Sequence, residues 1–138
     1  MADPNNVEEW LKLVSRHEAT AKLAAKDENA AANVHFLVGL AVEAALKAYI
    51  MKIERLNSWP SRETRPELYT HDLRNLVKFA KLNITPQDKI APAWALLKDW
   101  DRNQGYDPKP MPLKVAQDWV EAAFGQDGFV TWLRTHLT

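Results

Sequence analysis

Cysteine is absent from this 138-residue chain, and glycine is rare, with four residues. A chain without thiols forms no disulfide bond, carries no cysteine nucleophile and offers no cysteine ligand to zinc. Runs of valine, isoleucine and threonine are also missing, which argues against long β-strands. Neither sign of charge is in excess, because 18 basic residues balance 18 acidic ones. The chain as a whole therefore has no net attraction for nucleic acid or for an anionic membrane.

Signatures of metal and cofactor chemistry are missing as well. The sequence has no His-Glu-x-x-His or Glu-x-x-His pair, no glycine-rich phosphate loop and no Gly-x-Ser-x-Gly elbow. We therefore predict no metal site and no cofactor. The opening residues, MADP, are not a basic start followed by an apolar run, so we predict no secretory signal and expect a cytoplasmic protein.

Helix-forming residues, chiefly alanine, leucine, lysine and glutamate, dominate what is present. The length suits a single domain over residues 1–138. We predict an all-α, up-and-down bundle of five to six helices with one long central helix. Asn5 or Asn6 is expected to cap the first helix, Thr85 the fourth, and Gly125 to end the fifth. The helices are predicted over residues 6–26, 28–56, 71–82, 86–100, 113–124 and 128–137.

The most informative segment is the apolar stretch 30–51, which is typical of a helix enclosed by other helices. Its polar exceptions, His35, Glu43 and Lys47, and its glycine, Gly39, are spaced by four residues and so form one slanting stripe. At a bilayer centre, each of the two charges costs about 2.5–3.5 kcal/mol. We therefore predict a core helix and no membrane span.

The stripe needs partners, because an unpaired charge in an apolar setting is costly. Glu43 and Lys47 stand four residues apart in the favourable order, and they are expected to form an ion pair. Glu43 bonded to a backbone group or to a tryptophan indole is an equivalent structural interpretation. The functional interpretation places both charges in a cleft beside Arg102 or His71.

Three segments together resemble a known family. The long helix contains G-L-A-V-E-A-A-L-K over residues 39–47, and a later helix opens with His-Asp-Leu at 71–73. A third segment, Trp100…Arg102…Tyr106, precedes the last main helix. This combination resembles the HEPN domain, an all-helical domain of many prokaryotic proteins, over roughly residues 10–124.

The resemblance implies a bundle that dimerises through its long helices. It also implies membership of a group of metal-independent ribonucleases, inactive relatives and partners of small nucleotidyltransferases. The active ribonucleases carry an arginine followed, after four to six residues, by a histidine near the last main helix. Here Arg102 and Asn103 match that region, but position 107 is Asp107 and the next histidine is His136. The departure favours a non-catalytic member.

Candidate catalytic residues, if the chain is an enzyme, are Arg102, His71 and Arg65. Arg65 and His71 have the ribonuclease spacing, but Pro66 holds them in a loop before the third helix, so coincidence is the favoured interpretation. His71 either fixes the first turn of its helix or faces the carboxylate of the stripe. Arg102 either binds phosphate or carboxylate or pairs with Asp99, Asp101 or Asp107. The candidate ligand-binding residues are Glu43, Lys47, His71, Arg102, Asn103 and Tyr106.

The sequence therefore predicts a non-catalytic binding or regulatory module that takes nucleotide or RNA, or a nucleotidyltransferase partner. A metal-independent ribonuclease with a degenerate arginine–histidine motif is the alternative. A homodimer is expected because a helix over 28–56, apolar on nearly every side, needs more cover than three shorter helices supply. Gly39 would let a second backbone approach. Trp59, in a loop, is expected to pack over the helix ends, with an exposed platform for bases as the alternative.

Overall fold

Helices account for all the regular secondary structure in residues 3–137, the part of the chain that the computed structural model describes. The all-α prediction is thus confirmed. Six α-helices and two short 3₁₀ helices follow one another in this range. The α-helices are α1 (Val7–Ala24), α2 (Ala32–Glu54), α3 (Leu73–Phe79), α4 (Ala91–Leu97), α5 (Leu113–Phe124) and α6 (Phe129–Thr135). The 3₁₀ helices are Pro66–Leu68 and Arg102–Tyr106, and they lie in segments predicted to be irregular.

The central helix α2 packs against α1, α3, α5, α6 and the 3₁₀ helix Arg102–Tyr106. It is long and apolar enough to cross a membrane, but 78% of its most apolar window is buried inside the fold, which is typical of a core helix. The predicted start at residue 28 is wrong. The Asp27 carboxylate accepts a hydrogen bond from the Asn29 N–H, so this segment turns and α2 begins at Ala32 with 23 residues.

The same packing bears on the expected homodimer. Fourteen residues of α2 are buried by the chain's own elements, among them all the residues from Ala41 to Ala48. The close approach predicted at Gly39 is made by the Trp100 indole of the same chain, whose Nε1 donates to the His35 carbonyl at 2.9 Å. The cover of α2 therefore requires no second copy, and the homodimer remains a prediction based on the resemblance alone.

Helices α3 and α4 are also shorter than predicted. The Asp72 carboxylate accepts from the Arg74 N–H and so starts α3 at Leu73 rather than at residue 71. Thr85 does bond the Asp88 carboxylate through its N–H, at 2.7 Å, but that contact closes an isolated turn and not a helix. The fourth helix starts only at Ala91, with Pro92 in its first turn, where a proline is tolerated.

Other boundaries follow the sequence closely. The Asn6 side chain accepts from the Glu9 N–H and caps α1 as predicted. Helix α5 has the predicted bounds and ends at Gly125. Trp59 is 8% exposed and packs edge-on against Trp10 with ring centroids 5.2 Å apart. The alternative of an exposed Trp59 platform is therefore wrong.

Candidate functional site

A cleft of about 460 Å³ lies between the start of α3 and the segment that follows α4. Two short caps shape its walls. The Asp72 carboxylate fixes the start of α3, and the Asp101 carboxylate accepts from the Asn103 N–H at the start of the 3₁₀ helix Arg102–Tyr106. The cleft is lined by His71, Asp72, Arg74 and residues 98–103.

Three side chains from separate segments of the chain meet at the edge of this cleft. Glu43 of α2 is 7% exposed, and its Oε1 lies 2.7 Å from His71 Nδ1. His71 Nε2 in turn lies 2.7 Å from Arg102 Nη1. The functional interpretation of His71, in which it faces Glu43 across the bundle, matches this placement. The proposed bond of Arg102 to Asp99, Asp101 or Asp107 is absent among the ion pairs of residues 3–137.

The chemistry of the partners fixes the tautomer of His71. A guanidinium group only donates hydrogen bonds, so Nε2 of His71 must accept from Arg102 through its lone pair. The proton of the neutral ring is then on Nδ1, where it is donated to the Glu43 carboxylate. The buried carboxylate orients the ring, and the ring orients the guanidinium. Only one of the five N–H groups of Arg102 is used in this way.

Lys47 lies behind Glu43 and away from the cleft lining. Its Nζ is 3.2 Å from Glu43 Oε2, and the residue is 5% exposed. The ammonium also lies over the rings of Trp10 and Trp59, at 5.3 and 5.7 Å from their centroids. The predicted ion pair is confirmed, and Lys47 is placed to neutralise the carboxylate rather than to meet a ligand in this cleft.

Sequence reasoning missed one residue of this cluster, His17 of α1. Burial and the neighbouring Arg16 lower the pKa of His17, while the nearby Glu43 carboxylate opposes them. The signal was available, because Trp10, Val14, His17 and Ala21 are spaced as one helical face, and its other three members are buried.

The carboxylates of the cleft all have hydrogen-bond or ion-pair partners, whereas two of its cations form no ion pair within residues 3–137. Arg74 pairs with Asp99, and the carboxylates of Asp72 and Asp101 serve as caps. Lys98 and Arg102 line the cleft, and neither forms an ion pair with a carboxylate in residues 3–137. Two cations therefore remain for an anion.

The other candidates are placed differently. Asn103 lines the cleft, whereas Tyr106 is 83% exposed and does not. Arg65 is held by Glu54 and Glu67, at 2.8 and 2.7 Å, whereas the hydrogen bonds of His71 are to Glu43 and Arg102. The hydrogen bonds to Glu54 and Glu67 raise the pKa of this guanidinium above its usual range.

Within residues 3–137, no group of three or more histidine and carboxylate side chains is arranged to hold a metal ion. Comparison of the chain with protein-family models, with curated proteins and with solved structures found no match.

Proposed function

We propose that the chain is a HEPN-like binding module that takes the phosphate of a nucleotide or an RNA strand in the cleft beside His71. One observation carries the proposal: Arg102 is held in place at the cleft by His71, and His71 is anchored on the buried Glu43. An arginine that is positioned before a ligand arrives loses less side-chain entropy on binding. Its remaining N–H donors match the geometry of phosphate oxygens.

Neighbouring groups support an anionic ligand. Lys98 adds a second cation, which forms no ion pair within residues 3–137, and Asn103 adds an amide. A volume of about 460 Å³ is within the range of small-molecule sites. Eight of the nine lining residues have charged or polar side chains, with Trp100 as the exception, so we expect charge to contribute strongly to binding.

The resemblance to HEPN domains adds two partners to the proposal, a second copy of the chain and a small nucleotidyltransferase. Multi-angle light scattering over a concentration series tests the first, since a strict monomer at high concentration contradicts it. Co-expression with a small nucleotidyltransferase tests the second through co-purification.

Binding of a fluorescein-labelled decauridylate, followed by anisotropy with ADP as competitor, tests the ligand. We expect binding that weakens steeply as salt rises, because cations of the cleft displace counterions from phosphates. Arg102→Ala should weaken binding by about tenfold or more, which corresponds to the 1.5–3 kcal/mol of a hydrogen bond to a charged group. Lys98→Ala should have a smaller effect.

Arg62→Ala is the matched control, because it removes another exposed arginine that does not line the cleft. Equal affinity of Arg102→Ala and the unmodified protein would contradict the proposal. So would the absence of any binding of either ligand at low salt.

The alternative, a metal-independent ribonuclease, has one specific observation in its favour. The Glu43–His71 pair keeps the proton on Nδ1 and the lone pair on Nε2. That lone pair accepts from Arg102 in this structure, and it would be free to activate a ribose hydroxyl as a general base once Arg102 binds a phosphate instead. Incubation of the pure protein with assorted RNAs in excess EDTA tests this. If cleavage occurs, His71→Ala and Arg102→Ala should abolish it, and Arg65→Ala should not, because Arg65 is held elsewhere.

A further inference from the structure

The contact between Arg102 and His71 exists only while His71 is neutral. A protonated imidazole carries an N–H at both ring nitrogens and has no lone pair to accept from a guanidinium. Protonation therefore replaces the 2.7 Å hydrogen bond by two cations in contact. The bond from His71 to Glu43 is strengthened by the same event, because both of its members are then charged.

We propose that His71 takes up a proton when an anion enters the cleft, so that ligand binding and protonation are coupled. The inference rests on the phosphate site proposed above. On entry of the anion, a proton from solvent adds to Nε2 of His71. The guanidinium of Arg102, already held at the cleft, exchanges its hydrogen bond to the ring for one to the anion. His71 and Arg102 then face the anion as two N–H donors, and Glu43 balances the new charge from the buried side.

The surrounding charges allow this exchange in both directions. On the side of α2, Glu43 favours the protonated ring, and Lys47 behind it opposes this through its bond to the same carboxylate. On α1, His17 lies close enough to Glu43 to feel its charge. At the cleft face, three cations oppose protonation of His71, namely Arg74, Lys98 and Arg102. Three carboxylates favour it, namely Asp72, Asp99 and Asp101. Because these charges balance, the negative charge of an added anion stabilises the protonated form of His71 relative to the neutral form.

Isothermal titration calorimetry with decauridylate at pH 7.5 tests the coupling. The phosphodiester ligand keeps its charge between pH 6 and 8, so a change in proton number belongs to the protein. The slope of binding enthalpy against buffer ionisation enthalpy, measured in Tris and HEPES, counts the protons. We expect uptake of up to about one proton per site, since a single ring nitrogen receives it. Affinity should rise as pH falls from 8 to 6, by at most about tenfold per pH unit.

His71→Gln is the diagnostic variant, because its amide still accepts from Arg102 and donates to Glu43 but does not titrate. It should bind the RNA with no proton uptake and with an affinity that no longer depends on pH. His136→Gln, a change at an exposed histidine outside the cleft, should keep the uptake of the unmodified protein. Nitrogen-15 spectra of the unmodified protein at pH 7.5 should show Nε2 of His71 becoming protonated on addition of RNA.

The outcomes separate the two proposals. Binding without proton uptake, or equal uptake in His71→Gln and the unmodified protein, overturns the coupling and leaves the phosphate site intact. Absence of binding in every buffer overturns the phosphate site itself. An Nε2 signal that stays in its acceptor form when the cleft is saturated also overturns the coupling.

Discussion

Arg102 Nη1 lies 2.7 Å from His71 Nε2, although the two residues are 31 positions apart and belong to different walls of one cleft. The contact joins two segments that the sequence links only by their resemblance to HEPN domains. It also pairs His71 with an arginine other than Arg65, whose spacing fits the ribonuclease motif but whose side chain is held by Glu54. Fixed spacing along the chain is thus a poorer guide to this site than the anchoring of His71 on Glu43.

Removal of the Glu43 carboxylate should destabilise the fold strongly. Glu43→Ala leaves the Lys47 ammonium, 5% exposed, without its carboxylate. Breaking a buried pair costs about 3–5 kcal/mol, and the two tryptophan rings near Lys47 should hold the loss toward the lower value. The free energy of unfolding in urea measures it.

Two variants check the cause of that loss. Glu43→Ala with Lys47→Met should recover much of the stability, because no buried charge then lacks a partner. Asp118→Ala breaks an exposed pair with Lys114 at the same spacing and should change stability far less. Equal losses in Glu43→Ala and Asp118→Ala would show that burial of the first pair is unimportant.

The sequence predicts that the buried charges of this site, Glu43 and Lys47, need polar partners, but it does not predict which residues those partners are. Four-residue spacing places Glu43 and Lys47 on one buried stripe, and the partner of each is needed whatever the topology. The side chains that reach this stripe depend on where α3 begins and where α4 ends. The fourth helix is about half as long as expected, because the hydrogen bond from the Thr85 N–H to the Asp88 carboxylate closes an isolated turn and does not cap a helix. Spacing along the chain does not carry that information.

Glycine at position 81 should stabilise the protein. Lys81 follows α3 with a φ of 58°, in the left-handed region, and its backbone N–H bonds the Lys78 carbonyl to close the helix. A side chain in this region costs about 1 kcal/mol, which glycine avoids. We expect Lys81→Gly to raise the free energy of unfolding by about 0.5–1 kcal/mol. Lys78→Gly, inside the same helix, is the matched control and should lower it by a similar amount.

The free energy of unfolding should decrease as the pH is lowered below about 6.5, the ordinary pKa of histidine. Burial lowers the pKa of His35, and a weaker opposing effect comes from Asp101 and Gln104. Because the unfolded chain then binds the proton more tightly than the fold, unfolding is favoured as pH drops through this range, whereas above pH 7 both states are neutral. His17 contributes in the same direction.

Urea unfolding at pH 7.5 and 5.5 measures this effect. His35→Phe should show a smaller loss between the two values than the unmodified protein. His136→Gln, at an exposed position, should show an unchanged loss. A steeper decline in His35→Phe than in the unmodified protein would reverse the assigned sign.

A methyl group at position 39 tests the packing of the Trp100 indole against Gly39 of α2. A Cβ added to Gly39 would overlap the indole of Trp100, which forms a wall of the cleft and donates to the His35 carbonyl. Helix propensity alone favours alanine over glycine by about 1 kcal/mol, whereas overpacking of a core costs about 1–3 kcal/mol. We expect overpacking to prevail, because the obstructing group is a buried ring rather than a flexible chain end, so Gly39→Ala should destabilise the protein.

In a Trp100→Ala background the clash is gone, and the same change at Gly39 should become stabilising. A double-mutant cycle by urea unfolding measures this reversal, and additive effects of the two changes would show that the indole does not occupy the space at Gly39.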